Sequence, residues 1–357
     1  MLYIRTSIFE QSKSYYMKRS NIFTTYFFLS LLVISTLLVS CLHKNNESEI
    51  IKTPVNLDFR RFDKELMSLD MTKVVDSLPY FQKKYGSFFE VFNTQIINIG
   101  SSYSAGYPTI LNRFVTDYTV SMVNKEVQSK FTNIDSLKEK LTIGFKHYKY
   151  YLPNFQVPII ATYVAGLNQS MFATDSVLGI GLDKYLGANC SFYERMGTPK
   201  YIRMRFTREK MASDAFFTLA LSKFPMPDSA ENVLSQMLYQ GKLMYFVKKM
   251  LPEEADSLIF GFTNKQVEWC SENEKQMWTF LVEHKILFST DTYMITRYLD
   301  EAPSTKNFPP ESPGRAAIWL GYRIIDKFMQ KNSETNLLQL MNNNDYMSIL
   351  AASKYNP

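Results

Sequence analysis

"VPIIATYVAGLNQSMFATDSVLGIGLDKYLG", residues 157–187, is the stretch on which the fold class turns. Three short runs of β-branched or apolar residues are separated by Gly, Asn and Asp, the pattern of consecutive strands joined by tight turns. Elsewhere the apolar residues recur at spacings of three and four, which is the helical period. The combination predicts an α+β protein: a helix-dominated single domain around a small central mixed sheet.

Upstream, "VNLDFRRFDKELMSLD" (55–70) reads as a short strand running into a helix, with Phe59, Phe62 and Leu66 on one face. "SLPYFQKKYGSFFEVFNTQIINIG" (77–100) reads as one amphipathic helix with an aromatic core face, and further helices follow until Pro153 and Asn154 end "FKHYKYYLPNF". Past Pro199 the chain returns to helices. Two start signals fit the capping box, Asp228 with Glu231 and Thr263 with Gln266. Pro313 is expected in the first turn of the last long helix. Gly241 recurs on one face with Leu234, Met237, Leu238 and Tyr245, and Gly321 shares a stripe with Ile318 and Ile325. A helical glycine costs about 1 kcal/mol relative to alanine, so both are expected where two helix backbones meet closely.

Several chemistries lack their residues. The chain has three histidines, His43, His147 and His284, and no pair has the i, i+4 spacing of a zinc helix. No metal or cofactor site is expected, and His284 is read as a helix C-terminal residue suited to the dipole. No nucleophile elbow is present. "GIGLDKYLG" lacks the third glycine and the strand-to-helix setting of a dinucleotide loop. Asp175 and Asp183 flank one strand and could form a glycosidase pair, although turn formation is the commoner reason for aspartate at strand ends. The net charge of +6 is modest and partly N-terminal, so no nucleic-acid partner is implied. Cys190 and Cys270 form one possible disulfide pair; Cys270 lies on the apolar side of "EWCSENEK", which favours free thiols.

The N-terminus carries the clearest functional signal. Lys18 and Arg19 precede nineteen mostly apolar residues, Ile22 to Ser40, and the run stops at Cys41 before "HKNNESE". That order is an export signal, although the length also permits an uncleaved anchor. Leu38, Val39, Ser40 and Cys41 resemble the lipobox of bacterial lipoproteins, in which the cysteine thiol receives a diacylglycerol, the preceding peptide is removed and the new amino terminus is acylated. Several acyl chains bury enough CH₂ for permanent membrane attachment, whereas one gives only marginal binding. Residues 1–40 are thus expected to be a signal peptide with a true start at Met17, residues 41–54 a lipidated tether, and residues 55–357 the globular domain.

The segments 150–187, "PKYIRMRFT" (199–207), "LSQMLYQGKLMYFVKKMLP" (234–252), "TNKQVEWCSENEKQMWTFLVEHKILFSTD" (263–291) and "ESPGRAAIWLGYRIIDKFM" (311–329) together resemble the gliding-motility-associated lipoprotein GldB family. The resemblance is collinear over the mature chain. It implies a non-catalytic, lipid-anchored envelope protein working with gliding and type IX secretion machinery. Leu42 follows the cysteine in place of the aspartate that retains lipoproteins at the inner membrane in other bacteria, so the outer membrane is favoured. A more distant resemblance, to zincin-like peptidases, implies a degenerate fold of that type. The stretch matching the zinc helix, "REKMASDAFFTLALSKFP" (208–225), has no histidine, and Gln240 stands where that family has glutamate. An envelope hydrolase and a ligand-binding lipoprotein remain the alternatives.

Overall fold

The computed structural model describes residues 47–357, so Cys41 and the export segment lie outside the described residues. The chain divides into two compact units, one ending at Thr53 and the other running from Pro54 to Pro357. In the first, residues 47–52 are helical, and Thr53 Oγ1 donates to the Glu49 carbonyl at 3.2 Å. The expected tether therefore includes a short helix.

The second unit is α+β, helix-dominated, with a four-stranded mixed sheet in the order β1-β2-β4-β3. Strand β1 (Phe59–Arg60) pairs parallel with β2 (Ile159–Tyr163), β2 pairs parallel with β4 (Val177–Gly181), and β3 (Met171–Ala173) closes the edge antiparallel to β4. The three runs of 157–187 are thus all strands, but the first and third are neighbours and the middle one lies outside them.

Helices cover both faces of this sheet, which is why its strands read as nearly continuous apolar runs. Side chains alternate across it with period two. Ala161, Tyr163, Phe172 and Val177 join one core with Phe62, Phe81, Tyr85, Phe88, Phe89 and Phe92. Ile160, Met171, Leu178 and Ile180 join the other, built from the helices that follow the sheet. In the first core Phe62 is the hub, its ring centroid lying 4.8 to 6.0 Å from those of Phe81, Tyr85, Phe88, Phe89 and Phe92, all in edge-to-face geometry. A β-carbon at Gly179 would lie 2.3 Å from the Phe172 ring, and one at Gly181 2.5 Å from the Gln169 carbonyl oxygen and 2.8 Å from the Tyr163 ring. These two glycines make room for cross-strand aromatic rings, a packing role that accounts for the G-x-G.

Beside the sheet, buried Asp63 ties three elements together. It takes a two-pronged ion pair from Arg61 at 2.8 and 2.7 Å, a bond from Gln128 at 3.1 Å, and a short one from the Thr162 hydroxyl on β2. A buried carboxylate so surrounded has its lone pairs occupied.

Three helix boundaries differ from expectation. The segment 77–100 is broken at Gly86, whose φ of 50° separates the helix Val74–Tyr85 from Ser87–Val91. Asp228 and Glu231 do not form the cap. Asn232 does, with Ser235 as its reciprocal partner, and the first-turn N–H groups of Val233 and Leu234 donate to Ser289 and Leu287 carbonyls. Satisfying those orphan donors places the helix start four residues later. Pro313 precedes the helix Ala316–Lys331, which begins after Arg315 in the left-handed region; the Thr305 hydroxyl accepts from Ala316 N–H at 2.8 Å. Thr263 and Gln266 form the expected box.

The helices Val233–Met250 and Ala316–Lys331 cross at their two glycines. A β-carbon on Gly241 would lie 2.4 Å from the Gly321 carbonyl carbon, and one on Gly321 would lie 2.1 Å from the Met237 oxygen. Both neighbours are backbone, which cannot swing aside. Gly241→Ala and Gly321→Ala should each lower stability by about 1–3 kcal/mol through overpacking, against the roughly 1 kcal/mol that alanine gains in an isolated helix. Urea unfolding midpoints check this; a midpoint that stays or rises would show that the helices part without cost. The double variant should cost less than the sum, because both substitutions open one contact.

Candidate functional site

Asp183 and Asp175 are not brought together. Asp175 is fully exposed at the β3–β4 turn and pairs with Lys223 at 2.9 Å. Asp183, just past the other end of β4, is completely buried. The intervening seven residues, mostly extended, span on the order of 20 Å, well beyond the separations that glycoside hydrolysis uses.

Asp183 instead holds a turn. Its Oδ2 accepts from the N–H groups of Ala165 at 3.0 Å and Leu167 at 2.6 Å, while Lys184 donates to the Leu167 carbonyl at 3.3 Å. Gly166 and Leu167 both have positive φ, 68° and 70°, so the turn is strained for leucine and needs these bonds. It forms part of a shallow groove with Tyr118, Met122, Phe192 and Met196. Burial pushes the Asp183 carboxyl up to about 6, and the two N–H donors only partly offset this. The folded protein thus holds a proton there that the unfolded chain releases near pH 4. The Asp183 contribution to stability should fall as pH rises from about 4 to 6 and then level off, since the folded state binds the extra proton only in that window. The wild-type minus Asp183→Asn difference in unfolding free energy should decline across it by on the order of 2 kcal/mol; a constant difference would mean that Asp183 is ionised throughout. Asp183→Ala should cost about 2–4 kcal/mol, as two buried N–H groups lose their acceptor.

The histidines and cysteines are also dispersed. His147 is buried within the helix Asp135–Tyr151, and His284 caps the C-terminus of Glu274–Glu283, its Nδ1 3.0 Å from the Phe280 carbonyl. Among the described residues no group of three His, Cys, Asp or Glu is placed to hold a metal. The helix Met211–Lys223 packs against β3, β4 and the helix Val233–Met250, where Gln240 is half-buried. Cys190 and Cys270 are both buried and free, and burial pushes the Cys270 thiol up to about 12, which leaves it unreactive.

A cavity of about 120 Å³ lies where three cations that sequence reasoning passed over converge. Arg205 and Lys210 reach it from the segment after the Lys200–Arg203 turn, and Arg315 from the start of the last long helix. Gly261, at φ 68°, lets the stems of Arg205 and Lys210 come close, for a β-carbon there would lie 2.8 Å from Arg205 Cδ. Two loops frame the mouth. The capped N-terminus of Asn264–Glu272 brings Thr263 and Gln266, and the 301–315 loop brings Glu301, Pro303 and Pro313.

Within the cavity one carboxylate oxygen serves two guanidinium groups. Glu301 Oε1 lies 3.1 Å from Arg315 Nε in an ion pair and accepts a close bond from Arg205. Arg315 also donates to the Phe260 carbonyl at 2.8 Å. Lys210, almost wholly buried, donates to Asp214 at 2.6 Å and Ser213 at 3.1 Å. Desolvation lowers both Lys210 and Arg315, Arg315 to about 10, and the neighbouring cations add to it. Arg315 keeps its charge at neutral pH. Three same-sign residues scattered over 110 positions leave no local motif, so only their convergence in space shows the cluster.

A family model described as Gliding motility protein GldB matches residues 43–357. The chain therefore belongs to a family of gliding-motility proteins. That family is GldB, and its match runs through every element described above and both glycine-bearing helices. No curated protein and no solved structure matches the chain.

Proposed function

We propose that the protein is a non-catalytic, lipid-anchored component of the cell envelope, serving gliding motility and the associated type IX secretion machinery. The observation that carries this reading is the position of the family match, which begins at residue 43, two residues after the lipobox-like Cys41. Acylation of Cys41 would tether the domain at the membrane surface facing the periplasm, with the outer membrane favoured by Leu42. No helix among the described residues is long and apolar enough to cross a membrane, so attachment on this reading rests on residues before 47. Its partners would be other proteins of the gliding and secretion apparatus.

The non-catalytic part of the proposal draws support from how the conspicuous polar groups are used. Asp63 and Lys242 are buried and spend their hydrogen bonds on neighbouring backbone or side chains, Lys242 on the carbonyls of Met341 and Asn343, and Asp183 Oδ2 accepts from two backbone N–H groups. A peptidase-like reading would need a metal-binding helix where the chain has Met211–Lys223 without histidine.

Membrane fractionation and intact mass of the protein from its own host, beside Cys41→Ala, test the anchor. The wild type should begin at Cys41, carry acyl mass and sediment with membranes, and the variant should appear in the soluble fraction. A full-length, unacylated species that stays with the membrane in both would make the apolar segment an uncleaved anchor. A stoichiometric, chelator-removable zinc in the purified protein would overturn the non-catalytic reading.

A further inference from the structure

We infer that the cavity lined by Arg205, Lys210 and Arg315 is a binding site for a compact oxyanion, the phosphate or carboxylate head of a small ligand. The inference goes beyond the anchoring role and does not depend on it.

Charge balance is the first support. Three cations converge on the cavity, and Glu301 is the carboxylate that lines it. Asp214 takes the charge of Lys210 and accepts from the Tyr185 hydroxyl at 2.9 Å. Glu301 must then serve Arg205 and Arg315 together through one oxygen. The set is left with one positive charge unmatched, in a place where Arg315 and Lys210 are largely removed from water. Arg205 Nε is enclosed and has no acceptor among the protein's groups. Buried donors are ordinarily paired, so an enclosed guanidinium N–H beside a cavity marks a position for an acceptor. Two guanidinium forks are a donor set that planar or tetrahedral oxyanions take well, with the Lys210 ammonium, already held by Asp214, adding to the positive field.

Size and lining narrow the ligand. A volume of about 120 Å³ holds several waters but falls short of the 300 Å³ or more of a drug-sized site, so a head group fits and an extended molecule does not. Tyr201, Met204, Phe262 and Pro303 offer apolar surface at the same cavity, suited to the short organic body that carries the head. The floor is held in place independently of any ligand. Arg315 sits at φ 55° before its helix, and the Thr305 hydroxyl donates to the Pro313 carbonyl at 2.7 Å while accepting from Ala316 N–H.

Calorimetric titration of the full chain with inorganic phosphate, and separately with acetate, at constant ionic strength tests the site. Saturable one-to-one binding is expected with at least one anion. Saturation by phosphate alone assigns a phosphoryl ligand, and saturation by acetate alone or by both assigns a carboxylate-tolerant site. Arg205→Gln should weaken binding by about tenfold or more through loss of a charge-assisted bond. Glu301→Gln should do the opposite and tighten it several-fold, because it removes the internal competitor for both guanidinium groups. A merely structural cluster would not give that gain, so the second variant is informative even if the first folds poorly. No saturation by either anion, or saturation untouched by both substitutions, overturns the inference. Cys41→Ala should leave the binding unchanged, so failure here and failure of the anchor reading are distinguishable.

Discussion

The contact of Gly241 with Gly321 is the constraint on which the C-terminal half depends. Helices normally pack 8–10 Å apart because side chains keep them so; here each helix lays backbone against backbone, and a single added methyl at either position would strike a carbonyl group. That contact sets the Ala316–Lys331 helix in place along its length. Its N-terminus then falls where Arg315 meets Glu301 and the Phe260 carbonyl. On the facing helix, the residue after Gly241 is Lys242, whose ammonium caps the carbonyls of Met341 and Asn343. The position of Arg315 at the cavity is thus tied to helix packing about 9 Å along the helix, since Arg315 precedes Gly321 by nearly two helical turns.

The sheet does a different job. Its four strands are too short to form a stable layer alone, and they persist because two apolar cores press on them from opposite sides. Small residues on one side make this possible. Gly179 and Gly181 yield their volume to the rings of Phe172 and Tyr163, and Ala161 lies between. At the end of β4 the chain must turn into helix while its neighbour β2 leaves the sheet through Gly166 and Leu167. Asp183 joins these two exits, accepting from one and continuing the other. A carboxyl placed for that purpose is enclosed within the turn it holds.

Membership of the GldB family and the internal use of the buried polar groups point the same way. The buried polar groups Asp63, Asp183 and Lys242 hold turns and caps, and Arg205, Lys210 and Arg315 meet at a small cavity.

Local pattern alone determined the α+β class, the three strands within 157–187, the Thr263 cap, the aromatic face of 77–100 and the pairing of the two glycine helices, because period, cap chemistry and glycine cost act over a few residues. It also pointed to Cys41, through an apolar run ended by a small residue and a thiol. Strand order, the break at Gly86, the shift of a cap from Asp228 to Asn232 and of a helix start past Pro313 needed the tertiary structure, since each was settled by partners far along the chain: Ser289 and Leu287 for one, Thr305 for another. The role of Asp183 and the meeting of Arg205, Lys210 and Arg315 belong there too. Charge on a residue is written in the sequence, but burial and the company of other charges are properties of the folded chain, and these decide whether a carboxylate catalyses or caps and whether three cations repel one another or await an anion.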